Sequence, residues 1–293
     1  MGAPPGPWAS GRFDVEGHRG AKGLVVENTL ASFAAAFDAG ATGVELDVRL
    51  TADGQVVVWH DAVLLPEKCL ATGPDVVGAR LEELTLEQLR TVDVGSQTLA
   101  GYPDQRPSPG ARISTLDEVL AHGRERAPDV WWTIELKVDP LHEGESAGRR
   151  QLLEGVLAGV HEAGVERQCF VHSFDWTVLE LSAQLAPDVA RSALVEPSRT
   201  WVPGSPFTGS VQVDGSHDDV CAGAAAVGAQ VISPQHVLVD AAFVERAHGL
   251  GLAVLPWTVN DPERMSELLA AGVDGLVSDY PDRAVALSSP VGS

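Results

Sequence analysis

The sequence is poor in cysteine and has no long apolar run. Its three cysteines, Cys69, Cys169 and Cys221, are widely spaced and form no CxxC pair, which favours reduced structural thiols over disulfides or a metal–thiolate site. No stretch of about 18 apolar residues could cross a membrane, and Met1 to Ser10 lack the basic start and apolar run of a signal peptide. We therefore expect a cytoplasmic protein without a transmembrane segment, unless a leader has been trimmed from the chain.

Basic residues are also scarce, since 20 Lys and Arg stand against 41 Asp and Glu and give a net charge of −21. A chain this acidic repels nucleic-acid backbones and anionic membrane surfaces at long range. We expect no nucleic-acid partner. Any phosphate group that the protein handles must meet a local cation, either a metal ion or a few well-placed basic residues. Composition does not predict an oligomeric state.

Internal repeats and low-complexity tracts are missing, and short β-rich runs alternate with longer helical patterns instead. The extended segments are Val15–His18, Val44–Val48, Val56–His60, Trp131–Leu136, Cys169–His172, Ala190–Val195, Val231–Ser233, Ala253–Trp257 and Gly275–Val277. The helical patterns are Thr29–Ala39, Leu116–Arg126, Arg149–Ala163, Thr177–Leu185, Ala241–His248 and Pro262–Ala271, with a short helix near Leu86–Thr91. This alternation predicts a parallel sheet with helices outside it.

At 293 residues, the leading solution is an α/β fold, a single (β/α)₈ TIM-type barrel domain over residues 1–293 with its core at about 14–288. An open doubly wound sheet is the alternative. The extended segments exceed the barrel positions by one, and Arg49–Gly54 is too short for a helical crossover. Its Asp53-Gly54 pair is typical of a hairpin turn, so we expect one irregular strand pair. Two Pro- and Gly-rich loops, 64–112 and 197–215, are expected over the active-site face.

Three carboxylates fall on predicted strands near their carboxyl ends, where barrel enzymes carry their chemistry. Glu45 and Asp47 stand at i and i+2, so both point to the same side of the strand, and Glu135 lies near the end of another strand. Converging carboxylates repel one another unless a cation lies between them. An all-oxygen set favours a hard ion over zinc. We expect one divalent cation, Mg²⁺ or Ca²⁺, with Mn²⁺ possible as a substitute.

Titratable and basic side chains occupy the other strand ends. His18 and His60 can exchange protons near neutrality, as an acid and base pair must. Arg19 and Lys137 add fixed positive charge for an anionic substrate. Together with a metal, this set suits displacement at phosphorus. A barrel that binds a metal or a polyol phosphate without turnover is the non-enzymatic alternative.

The remaining histidines are interpreted as surface or helix residues, namely His122, His142, His161, His217, His236 and His248. His236 is the exception to watch, because it follows the strand end at Ser233-Pro234. Asp279, after the last strand, would either support the site or cap the helix that begins near Pro281.

The same residues resemble the glycerophosphodiester phosphodiesterase family in the family's order. The matching motifs are His18-Arg19-Gly20, Glu27-Asn28-Thr29, Glu45-x-Asp47, Asp53-Gly54, His60-Asp61, Glu135-x-Lys137, Ser173-Phe174, Trp257-x-Val259-Asn260, Asp274-Gly275 and Asp279-x-Pro281. They extend from residue 17 to about 285. The resemblance implies a barrel that hydrolyses glycerophosphodiesters, such as deacylated phospholipids, to sn-glycerol 3-phosphate and an alcohol.

The resemblance also implies residue roles. Glu45, Asp47 and Glu135 would be the metal ligands, and His18 and His60 the acid and base, in an order that stays open. Arg19 and Lys137 would contact the phosphate, while Glu27, Asn28 and Asp61 would support this set, with Glu27 orienting Arg19 or the metal. Trp257 would offer an apolar wall to the glycerol carbons or would simply pack in the core.

Some positions depart from the family pattern. Val26 stands where Pro is frequent, Ser114 interrupts an Ile-Pro-Thr-Leu element, and His172 replaces a frequent Gln before Ser173. His172 puts the substrate preference in question. A lysophospholipase D-type activity from the same centre is the runner-up, although neither long loop is rich in apolar residues. The sequence does not indicate the alcohol head group, or choose between a cyclic intermediate and direct attack by water.

Overall fold

The computed structural model describes residues 5–214 and 219–288. Within them the strands are β1 (Asp14–His18), β2 (Gly43–Leu50), β3 (Val56–Val58), β4 (Leu70–Ala71), β5 (Val92–Asp93), β6 (Trp131–Leu136), β7 (Cys169–Ser173), β8 (Ala190–Val195), β9 (Val231–Pro234), β10 (Ala253–Val254) and β11 (Gly275–Ser278). The α-helices are α1 (Leu30–Asp38), α2 (Leu86–Leu89), α3 (Leu116–Arg126), α4 (Glu143–Ala163), α5 (Trp176–Leu185), α6 (Val220–Ala226), α7 (Ala241–Gly249), α8 (Pro262–Ala271) and α9 (Pro281–Ser288).

Parallel strands with helices between them form a nearly closed barrel. The strand order is β10-β9-β8-β7-β6-β2-β1-β11, and backbone hydrogen bonds bring the two ends of this order together. The amide of Val277 donates to the carbonyl of Pro256 at 2.9 Å, and the amide of Val259 donates to the carbonyl of Val277 at 2.9 Å. The predicted eight-stranded barrel is thus confirmed, and the doubly wound alternative is excluded.

The ninth strand of this sheet accounts for the excess segment in the sequence. β3 pairs antiparallel with β2, with Val48 opposite Val58 and Leu50 opposite Val56. The connecting turn contains Gly54 at φ 76°, a left-handed conformation that glycine adopts without strain. The short Asp-Gly connection therefore makes a hairpin, as expected, and β3 stays outside the ring.

An aromatic cluster lies inside the barrel near the end where the strands begin. Phe170 stacks between Trp8 and Trp131, with ring centroids 5.7 Å and 5.1 Å apart. Trp8 lies on a short 3₁₀ turn, Pro7–Ser10, that precedes β1. This aromatic stack closes part of one end of the barrel, and the polar side chains of the site lie at the opposite end.

A second apolar cluster lies outside the barrel, under the long connection from β3 to α3. It contains Val57, Trp59, Leu64, Leu89 and Ile113, all buried. The small antiparallel pair of β4 and β5 belongs to the same connection. Assignment of residues 1–293 to one domain stays a prediction.

Two helices differ from the sequence-based expectation. α4 begins at Glu143 rather than Arg149, because His142 accepts a hydrogen bond from the Glu145 amide at 3.3 Å and caps an earlier start. α6 was not predicted, since its Gly and Ala composition carries no amphipathic pattern. Gly215 and His217 lie outside the described residues. No helix in the described part of the chain is long and apolar enough to span a membrane.

Candidate active site

Three buried carboxylates meet at the carboxyl end of the barrel strands. The register between β2 and β6 places Asp47 directly opposite Glu135, and Glu45 lies two residues before Asp47 on the same face of β2. One oxygen from each of the three side chains lies within 4.8 Å of the others. The structure therefore brings together the three residues predicted to hold a metal.

Basic and amide groups balance two of these carboxylates. Asp47 receives a hydrogen bond from Asn28 Nδ2 at 2.9 Å and pairs with Lys137 Nζ at 2.9 Å and Arg19 Nε at 3.2 Å. Lys137 Nζ also donates to Glu135 Oε1 at 2.6 Å. Both residues predicted to contact a phosphate thus lie against the carboxylate cluster.

Glu45 is less well compensated than its neighbours. Its Oε2 accepts the Arg19 amide at 3.0 Å, but its buried Oε1 has no hydrogen-bond partner among the described residues. Burial and the nearby charges of Asp47 and Glu135 raise the pKa of Glu45 well above its usual range. Burial acts on Asp47 in the same direction, but Lys137 and Arg19 outweigh it and hold the pKa of Asp47 well below its usual range.

These observations agree with a cation site. A buried carboxylate oxygen without a partner, facing two further carboxylates, is the environment that a hard divalent ion satisfies. The donor set is all oxygen, without the sulfur or multiple imidazole ligands that zinc sites usually contain. Glu45, Asp47 and Glu135 therefore fit one Mg²⁺, Ca²⁺ or Mn²⁺ ion.

His18, the last residue of β1, lies beside this cluster. Its Nε2 is 3.9 Å from Glu45 Oε2, and its Nδ1 is 2.5 Å from Asp279 Oδ1. A carboxylate at Nδ1 favours the tautomer with the proton there, so the Nε2 lone pair faces the site. Burial and the charge of Arg19 lower the pKa of His18, which keeps the ring neutral and able to accept a proton.

His60 has a similar arrangement. Its Nδ1 lies 2.8 Å from Asp61 Oδ1, and its backbone carbonyl accepts a hydrogen bond from Arg49 Nε at 2.8 Å. Burial and the charge of Lys137 lower the pKa of His60 to about 4. Each histidine thus forms a dyad with one carboxylate, Asp279 for His18 and Asp61 for His60.

Behind the site, Glu27 forms ion pairs with three basic side chains. Its oxygens lie 3.0 Å from Arg19 Nη1, 3.2 Å from Lys22 Nζ and 2.9 Å from Lys68 Nζ. Arg19 and Asn28 have positive φ angles of 51° and 54°, which non-glycine residues adopt at some energetic cost. Such strain tends to persist where function requires a particular side-chain direction, here toward Asp47 and Glu27.

The site opens into a cavity of about 350 Å³, lined by His18, Arg19, Glu45, His60, Glu135, Lys137, His172, Phe174, Leu194, Glu196, Arg199, Gln235, Trp257, Thr258 and Val277. Trp257 contributes one apolar wall, held by its Nε1 donating to the Ser233 carbonyl at 2.9 Å and by an edge contact with Phe174. His172 lies at the cavity floor, where burial and the charge of Lys137 lower its pKa to about 3.

Sequence reasoning did not select several side chains that the structure places here. Lys22, Lys68 and Tyr102 lie against the predicted residues. Asn260, which the sequence marked only as part of the Trp257-x-Val259-Asn260 motif, donates to Asp279 Oδ2 at 2.7 Å. Lys22 follows His18 closely in the chain, so proximity in sequence could have suggested it. Lys68 and Tyr102 come from the long connection after β3, and no local pattern marks them.

The other described histidines lie elsewhere. His142 caps α4, His161 pairs with Glu166 at the surface, and His248 pairs with Asp274. His236 lies on a turn after β9, where its amide donates to the Trp257 carbonyl at 2.9 Å.

The fold and the polar cluster together define a barrel enzyme with its chemistry at the carboxyl ends of the strands. A model of the glycerophosphoryl diester phosphodiesterase family matches residues 18–283. The chain belongs to this family and is a phosphoric diester hydrolase, as the sequence motifs predicted.

Individual proteins show the same relationship. A putative glycerophosphoryl diester phosphodiesterase from Silicibacter pomeroyi, known from a crystal structure, is 32% identical in sequence. The two structures superpose with a TM-score of 0.84 over 98% of this chain and 95% of that one. The glycerophosphodiester phosphodiesterase of Caldanaerobacter subterraneus subsp. tengcongensis is 28% identical over 93% of this chain and 96% of its own. An Oleispira antarctica phosphodiesterase, solved in complex with its product sn-glycerol-3-phosphate, shares the fold at 22% identity with a TM-score of 0.74, covering 95% of this chain and 97% of its own.

Proposed function

We propose that this protein hydrolyses glycerophosphodiesters to sn-glycerol 3-phosphate and an alcohol, with the help of one divalent cation. Membership of the family and the similarity to a glycerophosphodiester phosphodiesterase support the reaction class. The observation that carries the proposal is the convergence of His18 on the carboxylate cluster, with its Nε2 3.9 Å from Glu45. A proton-transfer group and a candidate cation site thereby share one cavity.

In this proposal Glu45, Asp47 and Glu135 hold the cation. A divalent ion bound there supplies Lewis-acid polarisation of a phosphoryl oxygen. Arg19 and Lys137 contribute two further positive charges, which offset the charge of the diester and the additional charge that develops during displacement. Because Arg19 and Lys137 both pair with Asp47, their side chains are already oriented before a substrate arrives.

His18 and His60 transfer the protons. One ring, in its neutral form, accepts a proton from the nucleophile, which is either a glycerol hydroxyl or water. The other ring enters the step as the imidazolium and donates its Nε2 proton to the leaving alcohol. Asp279 and Asp61 hold the Nδ1 protons of the two rings, so each ring presents Nε2 for the transfer. Trp257 lies where it can cover the glycerol carbons.

Product analysis tests this proposal. The protein is incubated with glycerophosphocholine, and the products are identified by mass spectrometry. We expect sn-glycerol 3-phosphate and choline in equal amounts. Release of phosphocholine and glycerol, or hydrolysis of lysophosphatidylcholine in place of glycerophosphocholine, would contradict the proposed substrate and bond. Folding of the same sample is checked by circular dichroism.

A further inference from the structure

The connection between β3 and α3, residues 59–115, contains the His60–Asp61 dyad and contacts the His18–Asp279 dyad. One side chain from this connection, Lys68, lies behind Asp61. A second, Tyr102, lies behind Asp279. These two residues are far apart in sequence from each other and from β1. The His60–Asp61 dyad follows β3, whereas the other dyad joins His18 of β1 to Asp279 after β11. The same connection therefore supplies an outer partner to each dyad.

Lys68 bridges two carboxylates. Its Nζ donates to Asp61 Oδ2 at 2.6 Å and to Glu27 Oε1 at 2.9 Å, while the other oxygen of Asp61 holds His60 Nδ1 at 2.8 Å. Only 14% of the Lys68 side chain is exposed. A short charge-assisted hydrogen bond at Asp61 fixes the carboxylate plane, and with it the direction of the His60 ring.

Tyr102 contacts Asp279 as Lys68 contacts Asp61. Its hydroxyl donates to Asp279 Oδ2 at 2.8 Å, and Asp279 Oδ1 contacts His18 Nδ1. Asn260 Nδ2 donates to the same Asp279 oxygen at 2.7 Å. Asp279 is therefore held by two neutral donors, whereas Asp61 is held by a cation.

The connection is anchored where these contacts are made. The amide of Arg106 donates to the Leu24 carbonyl at 2.8 Å, the amide of Val26 donates to the Arg106 carbonyl at 3.2 Å, and Gln105 Nε2 donates to the Lys22 carbonyl at 2.7 Å. These bonds tie it to the turn after β1 that carries Arg19 and Glu27. Its apolar residues pack in a separate cluster, so packing alone does not account for a largely buried lysine beside Asp61.

We propose that Lys68 and Tyr102 are positioning residues, which orient His60 through Asp61 and His18 through Asp279 respectively. The inference rests on the proposed function of the two histidines. Beyond carrying His60, residues 59–115 would then orient the rings of both histidines.

Kinetics of single variants test this assignment. K68M removes the charge of Lys68 and keeps its length, and Y102F removes one hydroxyl. We expect kcat on glycerophosphocholine to fall about 10- to 100-fold for K68M and about tenfold for Y102F, where Asn260 still holds Asp279, with KM nearly unchanged. K68R should restore most of the lost kcat, because Arg keeps the charge and can donate to both carboxylates.

R90M is the matched control. Arg90 belongs to the same connection and pairs with Glu118 at 2.6 Å on the surface, so its loss removes a cation without touching a dyad. We expect R90M to keep the wild-type kcat. Thermal melting of all variants separates slower chemistry from a destabilised fold.

A second substrate distinguishes misorientation of one histidine from a general loss of order in the site. A 4-nitrophenyl diester of glycerol 3-phosphate has a leaving group that needs no proton, so the histidine that protonates the leaving alcohol becomes dispensable. We expect either K68M or Y102F to regain most of its rate on this diester, while the other stays slow. Equal losses on both substrates in both variants, or wild-type rates in both, would overturn the inference. Inactive wild-type protein would instead refute the proposed function.

Discussion

At the residue scale, Asp14 and Glu16 are fully buried carboxyl groups at the barrel end away from the site. Thr42 donates to Asp14, and Thr133 donates to Glu16 Oε1 at 2.6 Å. Burial raises the pKa of Asp14 to about 6 and the pKa of Glu16 well above its usual range. Both groups are therefore harder to ionise in the folded protein than in the unfolded chain.

This shift predicts how stability depends on pH. The folded protein binds the Asp14 proton more tightly than the unfolded chain, so the stabilisation is complete below about pH 4 and is lost as pH rises through about 6. As the pH rises from 4 to 8, the free energy of unfolding of D14N should increase by up to about 3 kcal/mol relative to that of wild type. Urea unfolding at both pH values measures the difference, with exposed D38N as the control. An unchanged pH slope in D14N would argue against a buried, protonated Asp14.

The two histidines give a second prediction at this scale. H18A and H60A should each lower kcat by about 10²- to 10⁴-fold, the usual contribution of a general acid or base. H161A, whose side chain is 84% exposed, should keep the wild-type rate. Turnover of glycerophosphocholine and thermal melting are measured for all three variants. Near-wild-type rates in H18A and H60A would refute their assignment.

At the element scale, α3 packs on β6 through a glycine. A Cβ atom added at Gly123 would lie 2.2 Å from the Trp132 ring, whereas one added at Gly148 of α4 would meet Leu50 at 3.8 Å, an ordinary contact. The two positions thus differ in the room that they leave for a side chain. Only the first position requires a missing side chain.

Matched substitutions test this difference. G123A should destabilise the protein by about 1–3 kcal/mol, because overpacking against Trp132 outweighs the better helix propensity of Ala. G148A should stabilise it by up to about 1 kcal/mol through that propensity. Chemical unfolding of both variants gives the two signs. Equal effects of the two substitutions would show that the Gly123 contact relaxes at no cost.

The elements also show where sequence reasoning succeeded. α3 and α8 begin and end as predicted, because Thr115 and Asp261 cap them and Pro262 opens α8. The start of α4 was placed too late, since Gly144 and Gly148 resemble a loop and the cap is a histidine. The β2–β3 hairpin was predictable from Asp53-Gly54, because so short a connection excludes a parallel crossover.

The site was predictable only in part. Glu45, Asp47 and Glu135 could be grouped, since alternation along a strand and the barrel rule place them together. The contacts that Lys68 and Tyr102 make behind the site could not be predicted, because they join residues distant in sequence. Tyr102 and Asp279 are 177 positions apart, and Lys68 reaches Glu27 across 41. Such pairs depend on how the β3–α3 connection folds back, and no local pattern specifies this.

At the scale of the whole molecule, cation binding should be linked to folding. The unfolded chain cannot bring Glu45, Asp47 and Glu135 together, so a cation that binds the native state raises the free energy of unfolding, by about 2.7 kcal/mol at a hundredfold excess over Kd. We expect added Mg²⁺, Ca²⁺ or Mn²⁺ to raise the melting temperature of wild type.

Two variants locate the effect. D47N should abolish the thermal shift, because it removes the central carboxylate. E82Q alters a separate group, Glu82, His142 and Glu145, whose carboxylates already pair with Arg49 and Arg80, and should keep the shift. Loss of the shift in E82Q and its survival in D47N would show that the ion binds at Glu82, His142 and Glu145 instead.

The central claim is that a cation held by Glu45, Asp47 and Glu135 is required for hydrolysis of a glycerophosphodiester. Its most direct test is turnover of glycerophosphocholine after EDTA treatment, followed by separate restoration of Mg²⁺, Ca²⁺ and Mn²⁺. We predict negligible release of sn-glycerol 3-phosphate from the stripped, folded protein and recovery with at least one of these ions. Full activity after complete metal removal, verified by elemental analysis, would contradict the account.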